Sequence, residues 1–407
     1  MSDALASPAL SSRDRGLVNE LVYGVLRTRR LLDRLLGKMV RRQPSSMLQI
    51  ALQLGLYQIL FLARIPDFAA ADEMVGIVKR RVGKQQGGFL NAILRRAVRE
   101  KDELLVSVEE FRNSEPDVAY SCPAWLYKRW RSRLSESDLL CLLKWQSEIP
   151  RVFARLNRLR SSESEFERQA QGENLGLEPV SLGWESSAAV YRIGTPSGMT
   201  RHDSFRNGAF YVQDPSTLLS VDLLDPQPGE KVLDLCAAPG GKTSFIAEKM
   251  ENTGEIIACD SVAARLDLVL ENCTRLGISN VSAQLIEDAS LPPGCGSNCD
   301  RVLVDVPCSN TGVLRRRVDL RWRLRESEIR NLAQTQASLI RLASQAVKPG
   351  GKLVYSTCSL EPEENNAIVV DFLKTNPQFK LEAERQLTPY GDGCDGAYVA
   401  LLSREPS

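Results

Sequence analysis

Lys231-Val-Leu-Asp-Leu-Cys-Ala-Ala-Pro-Gly-Gly-Lys-Thr243 is the stretch that decides the fold. The apolar run at 232–235 reads as a buried strand, Pro239-Gly240-Gly241 as a tight turn, and 243–250 as a helix. A strand that turns through glycine into a helix start builds a cofactor site. Glycine lets the backbone come close, and the helix start offers free N–H donors and the positive end of a dipole. Two versions of such a site are excluded. A phosphate loop Gly-x-x-x-x-Gly-Lys-Ser/Thr would need glycine where Cys236 stands, and the fingerprint Gly-x-Gly-x-x-Gly would need it where Ala238 stands. The version left is the turn that holds S-adenosylmethionine, with an ordinary glycine-bearing α/β connection as the alternative.

Outward from this turn, strand and helix signals alternate to the C-terminus. Strands are expected at 256–260, 281–286, 301–306 and 352–357, and helices at 265–276 and 329–346. That order implies a doubly wound parallel sheet, which binds ligands outside the carboxyl ends of its strands. Polar residues occupy those ends. Asp260 closes the second strand about twenty residues past the turn, where a carboxylate accepts hydrogen bonds from both ribose hydroxyls. Capping the next helix is its alternative role. Arg265 lies one helical turn further and steadies Asp260, while Asp288 follows the third strand on the adenine side.

Asp305-Val-Pro-Cys308 and Ser356-Thr-Cys358 end the fourth and fifth strands. In sheets of this kind those strands are neighbours, so both thiols are expected in one cleft beside the cofactor's methyl group. A single buried cysteine is usually an inert small hydrophobe; two at adjacent strand ends suggest chemistry. The C5 carbon of a pyrimidine is a poor nucleophile, and a thiolate added at C6 makes it a good one. Methylation, loss of the C5 proton and elimination of the thiol then restore the ring. This requires a thiol below its usual pKa of about 8.5. Asp305 is placed to act at cytosine N3, and the second thiol to assist release.

The rest of the chain sets the context. It has 407 residues, 43% apolar and 25% charged, enough for two or three globular domains. The start lacks a signal peptide, and the longest apolar run, near 50–63, is broken by Gln53 and Gln58, so a soluble cytoplasmic protein without a membrane span is expected. Ten scattered cysteines and a single histidine argue for reduced thiols and against a metal site. Residues 1–103 hold 18 Lys and Arg against 10 Asp and Glu, a net +8 that leaves −7 for the remainder; a basic end points to nucleic acid or to solvated helix faces.

Residues 13–103 read as helices throughout, broken at Pro44-Ser45-Ser46 and at Pro66, with a helix at 47–62 and two more at 70–82 and 89–98 split by Gly83, Gly87 and Gly88. In the middle, Trp125, Trp130 and Trp145 either stack on bases or pack helices together. Strands at 151–157, 180–184 and 189–191 would complete a small α+β segment.

The runs at 19–27, 51–62 and 88–96 resemble the NusB-type helical RNA-binding domain. Leu235-Cys-Ala-Ala-Pro-Gly-Gly-Lys-Thr243, Asp305-Val-Pro-Cys-Ser-Asn-Thr-Gly-Val-Leu-Arg-Arg316 and Tyr355-Ser-Thr-Cys-Ser-Leu-Glu-Pro-Glu-Glu-Asn-Asn366 resemble the Nol/Nop/Sun family of RNA cytosine-C5 methyltransferases. The resemblance implies a NusB-like bundle at 1–105, a linking RNA-binding subdomain at 106–204 and a Rossmann-like S-adenosylmethionine-dependent methyltransferase domain at 205–407. It implies Cys358 as nucleophile and Cys308 as the residue that frees the product, with Asp305 between cofactor and base. Cys236, Ala237, Ala238, Pro239, Gly240, Gly241 and Lys242 would hold the methionine part of the cofactor, Asp260 with Arg265 the ribose, and Asp288 the adenine side. Arg315, Arg316, Asp319 and Trp322 fall in a stretch that family members place near substrate. The implied partner is a small-subunit ribosomal RNA stem-loop, bound by a monomer. Val306, Val318 and the closing Asp395-Gly-Ala-Tyr-Val-Ala-Leu401 depart from the family pattern without removing a catalytic group.

Overall fold

The computed structural model describes residues 10–286, 290–291 and 293–406. It divides into two compact units, Met1–Ile149 with Leu314–Leu324, and Pro150–Val313 with Arg325–Ser407. The helices after residue 105 therefore group with the first unit, and the small sheet groups with the second.

The first unit is built from helices α1 (Ser12–Met39), α2 (Ser46–Phe61), α3 (Asp67–Arg81), α4 (Lys84–Arg99), α5 (Lys101–Ser114), α6 (Ala124–Arg131) and α7 (Glu136–Ser147), with a four-residue turn of helix at Pro116–Ala119. A capping box opens α1, in which the Ser11 side chain and Asp14 satisfy each other's backbone N–H groups. Leucines at helical spacing form the core: Leu32, Leu35, Leu52, Leu56, Leu90 and Leu94 are all buried. The expected glycine break falls only at Gly83, where φ is +137°. Gly87 and Gly88 lie inside α4. A Cβ at Gly87 would come within 2.3 Å of the Lys79 side chain, so this glycine serves the close α3–α4 approach.

The second unit holds two sheets. The small antiparallel sheet has the order β2-β3-β1-β4, from β1 (Val152–Leu156), β2 (Leu177–Pro179), β3 (Val190–Ile193) and β4 (Phe210–Val212). The strand expected at 180–184 is not formed; β2 ends at Pro179, opposite Tyr191 of β3, with one further bond from the Val180 N–H to the Val190 carbonyl at 2.8 Å. The large sheet has β5 (Lys231–Leu235), β6 (Glu255–Asp260), β7 (Val281–Leu285), β8 (Cys299–Asp305), β9 (Val347–Thr357), β10 (Phe379–Leu387) and β11 (Ala397–Arg404), in the order β10-β11-β9-β8-β5-β6-β7. Five strands, β5 to β9, are parallel as expected. The sheet is mixed rather than wholly parallel, because β11 and β10 extend it antiparallel beyond β9.

Side chains alternate along these strands between two cores. Val232, Ile256 and Ala258 pack on one face with Phe245 and Val269; Leu233, Leu235, Ile257 and Cys259 pack on the other with Ile340, Ala343 and Phe372. Helices α8 (Gly241–Lys249) and α9 (Ala263–Leu276) supply the first face, and α10 (Glu326–Ala346) and α11 (Asn366–Thr375) the second. The chain order reverses at β5, which lies between β8 and β6, and this is the crevice where such sheets take a ligand.

Candidate active site

The crevice is built where four strands end, β5, β6, β8 and β9. At the end of β5 the backbone bends sharply: Cys236 has φ +112° and Gly240 φ +98°, and the Ala238–Pro239 peptide is cis. The N–H groups of Cys236 and Ala237 both donate to the carbonyl of Cys259, at 3.0 and 2.7 Å, which pins the turn to β6. Helix α8 starts at Gly241, where a Cβ would meet the Tyr211 ring at 2.9 Å. Glycine is thus required at both positions, one for its φ and the other for space.

Asp260 ends β6 and is buried. Its Oδ1 accepts from the Val262 N–H at 3.2 Å and from Arg265 Nη1 at 3.3 Å. Arg265 Nη2 also donates to the Ala238 carbonyl at 3.0 Å and so ties the two strand ends together. Asp260 Oδ2 is buried with no hydrogen-bond partner among the described residues. A buried orphan acceptor beside a glycine turn suits a ribose hydroxyl, and the residues present therefore fit an adenosyl cofactor. Asp288 lies outside the described residues.

Lys242 links this turn to the thiols. Its Nζ lies 2.6 Å from Asp305 Oδ2, and Asp305 Oδ1 accepts from Ser356 Oγ at 2.6 Å. That second bond follows from the register, since Asp305 of β8 pairs with Ser356 of β9. Burial opposes the Lys242 charge, but Asp305 and Asp234 outweigh it and raise the ammonium pKa above the ordinary lysine value. Beyond these strand ends, Cys308 Sγ and Cys358 Sγ are 3.2 Å apart, both as thiols. Hydrogen bonding with Cys358 and burial push the Cys308 thiol well up, with the Cys358 and Glu364 charges adding to the effect. Cys358 is the more open of the two.

Sequence reasoning missed several partners. Asn310 Oδ1 accepts from Cys358 Sγ at 3.1 Å, and Asn310 Nδ2 donates to the Cys308 carbonyl at 2.6 Å. It adopts φ +58°, a conformation that asparagine tolerates better than other non-glycine residues, but nothing in the sequence flags it. Asp234, under the glycine turn, accepts from Thr243 Oγ1 at 2.6 Å, and its other oxygen is buried without a partner among the described residues. Burial pushes Asp234 up to about 6, against the opposing Thr243 hydrogen bond. A carboxyl that holds its proton more tightly in the folded chain stabilises the fold below about pH 4, the ordinary carboxyl range, and loses that contribution as pH rises through 6. Relative to Asp234→Asn, the wild-type protein should lose about 3 kcal/mol of stability between pH 4 and 7, read from urea midpoints of both proteins.

The stretch expected near substrate has other partners. Arg315 is buried with its guanidinium 3.8 Å from the Trp145 ring centroid. Trp322 Nε1 donates to the Leu26 carbonyl at 2.8 Å, and Asp319 pairs with Arg323 at 2.6 Å. Arg321, also buried, donates to the Gln146 carbonyl at 2.6 Å and the Tyr120 carbonyl at 3.3 Å. Residues Leu314–Leu324 are thus held by the helices of the first unit. Trp130 is buried there as a packing residue.

Comparison with known proteins gives consistent matches. Residues 221–402 match the family model of the 16S rRNA methyltransferase RsmB/F, and residues 1–99 match the NusB family. A Bacillus subtilis protein named "Probable ribosomal RNA small subunit methyltransferase B" is 32% identical over 100% of this chain and 94% of its own length. The ribosomal RNA small subunit methyltransferase B of Yersinia pseudotuberculosis is 34% identical over 97% of this chain and 92% of its own. The solved structure titled "Crystal Structure of PH0851" superposes with a TM-score of 0.79 at 26% identity, covering 98% of this chain and 92% of that one.

Proposed function

The chain belongs to the 16S rRNA methyltransferase RsmB/F family, and from that premise we propose that it forms 5-methylcytosine in small-subunit ribosomal RNA, in the cytoplasm, through a covalent bond between Cys358 and the C6 carbon of the target base. S-adenosylmethionine is the cofactor, and when bound it supplies an electrophilic methyl group. Residues 236–242, Asp260 and Arg265 hold it, with Asp288 toward the adenine. The acids Asp234, Asp260 and Asp305 outnumber Lys242 and Arg265 around the turn, and that balance suits a cation.

The observation that carries the reading is the 3.2 Å approach of Cys308 and Cys358 at adjacent strand ends, next to the Lys242–Asp305 pair. Cys358 attacks C6, so electron density builds at C5, and Asp305 holds the N3 edge. C5 takes the methyl group, the C5 proton passes to water, and the C6–sulfur electrons return to Cys358 as that bond breaks, which restores the ring; Cys308 assists this release. The basic N-terminal bundle grips the RNA through its phosphates, and residues 106–204 extend that grip. The target base enters unpaired or flipped out of its helix. No helix among the described residues is long and apolar enough to cross a membrane.

Incubation with methyl-tritiated S-adenosylmethionine and small-subunit RNA should place the label on cytosine C5. Failure to label cytosine, while the cofactor still raises the melting temperature of the protein, would refute the reaction but leave the cofactor site standing.

A further inference from the structure

Glu364 is fully buried and lies outside the chemistry described so far. It sits in the 3₁₀ turn Pro362–Glu364 that follows β9. Its carboxylate collects four donors. Oε1 accepts from the Ser309 backbone N–H at 2.8 Å and from Gln336 Nε2 at 2.9 Å; Oε2 accepts from the hydroxyls of Ser309 and Ser359. Ser309 and Ser359 are the residues that directly follow Cys308 and Cys358. One carboxylate therefore grips the residue after each thiol.

The surrounding bonds serve the same end. Gln336 also donates to the Pro307 carbonyl at 3.0 Å, and the Glu364 carbonyl accepts from Tyr355 Oη at 2.6 Å. The two loops touch directly: the Gly312 N–H donates to the Cys358 carbonyl at 3.0 Å, and Thr311 Oγ1 accepts from the Leu360 N–H at 2.9 Å. A Cβ at Gly312 would lie 2.8 Å from that Cys358 carbonyl oxygen. Two loops from different strand ends are thus packed to backbone contact around one anion. Burying a carboxylate is costly unless its acceptor sites are filled, and here three of the four donors come from the two thiol loops and the fourth, Gln336, from α10.

We propose that Glu364 is a positioning residue, a clamp that fixes the spacing between the Cys308 and Cys358 sulfurs by holding the residues Ser309 and Ser359 on one carboxylate. The clamp rests on the covalent mechanism for its purpose, but its geometry is independent of RNA and cofactor. Its charge also helps keep Cys308 in the thiol form.

The test reads sulfur spacing directly. Diamide joins two nearby thiols as a disulfide, taking up their two hydrogens as it is reduced to a hydrazine. The rate at which the 308–358 linked peptide appears, followed by mass spectrometry, measures how well the two sulfurs are held together. Glu364→Gln, which removes the charge, and Glu364→Asp, which keeps it on a shorter stem, should each slow that rate about tenfold or more. Each should also lower kcat by a similar factor with little change in KM for RNA, while the melting-temperature rise with S-adenosylmethionine stays as in wild type. A wild-type linking rate in Glu364→Gln, or full recovery in Glu364→Asp, overturns the clamp. Should neither variant fold, the decision passes to the double variant Ser309→Ala/Ser359→Ala, which strips both hydroxyl arms; an unchanged rate there also overturns it. Slowed linking in proteins whose wild-type parent methylates no RNA would leave the clamp standing and refute the proposed reaction instead.

Discussion

Cys358→Ala protein will methylate RNA at least on the order of 10⁴-fold more slowly than wild type, which in a tritium-transfer assay is indistinguishable from no enzyme. The size of the loss follows from the role. Without a sulfur at C6, the C5 carbon never becomes a nucleophile, and neither cofactor binding nor RNA binding can compensate. The two thiols are not equivalent. Cys358 is the more open, while Cys308 is buried, and Cys358 also reaches Asn310 Oδ1 at 3.1 Å. An accessible sulfur can meet a base, whereas a buried one whose pKa is held up cannot readily become a thiolate. The melting-temperature rise with S-adenosylmethionine should survive in Cys358→Ala, because the glycine turn, Asp260 and Arg265 are untouched. Full activity in Cys358→Ala beside a dead Cys308→Ala would reverse the two assignments.

How much of this was readable beforehand depends on the distance over which each feature is determined. The strands β5, β6 and β8 are runs of apolar residues that stop at Asp or Cys, and local pattern is enough to find them. The glycine turn and both cysteine loops lie at strand ends, so their convergence followed from sheet order alone. Local pattern failed where a neighbour decides the outcome. Gly87 and Gly88 look like a break, yet both lie inside α4, where Gly87 packs tightly against Lys79 of α3. Residues 180–184 look strand-like, yet only Val180 still bonds to β3, through the Val190 carbonyl. β10 alternates buried and exposed positions in Phe379-Lys-Leu-Glu-Ala-Glu-Arg-Gln-Leu387, a signal that was present, but its antiparallel place beyond β11 was not expected from a parallel α/β frame. Arg315 and Trp322 carry a family pattern suggestive of substrate, and only tertiary structure reveals their partners Trp145 and Leu26. The Glu364 donors Ser309 and Gln336 lie 55 and 28 residues away, beyond the reach of any motif.

Cys308→Ala should behave unlike Cys358→Ala: it should trap RNA rather than ignore it. When the C6–sulfur bond breaks, the Cys358 sulfur departs as a thiolate and is a better leaving group if a hydrogen bond reaches it. Cys308 is the nearest candidate donor, 3.2 Å away, and because hydrogen bonding and burial keep its own proton on, it stabilises the departing thiolate as a hydrogen-bond donor without losing that proton. Alanine at this position removes the donor but leaves the nucleophile, the Asp305–Lys242 pair and the cofactor turn intact. Attack and methylation then proceed while elimination stalls. A species that survives denaturing electrophoresis should accumulate toward one RNA per protein, carrying the tritiated methyl group, and multiple turnover should fall by two to three orders of magnitude, on the order of 10²–10³-fold. The double variant Cys308→Ala/Cys358→Ala should form no such species, which separates a true C6 adduct from tight non-covalent binding. Wild-type turnover in Cys308→Ala with no retained RNA would mean that water or another side chain supplies the hydrogen bond, and Cys308 would then owe its place beside Cys358 to packing alone.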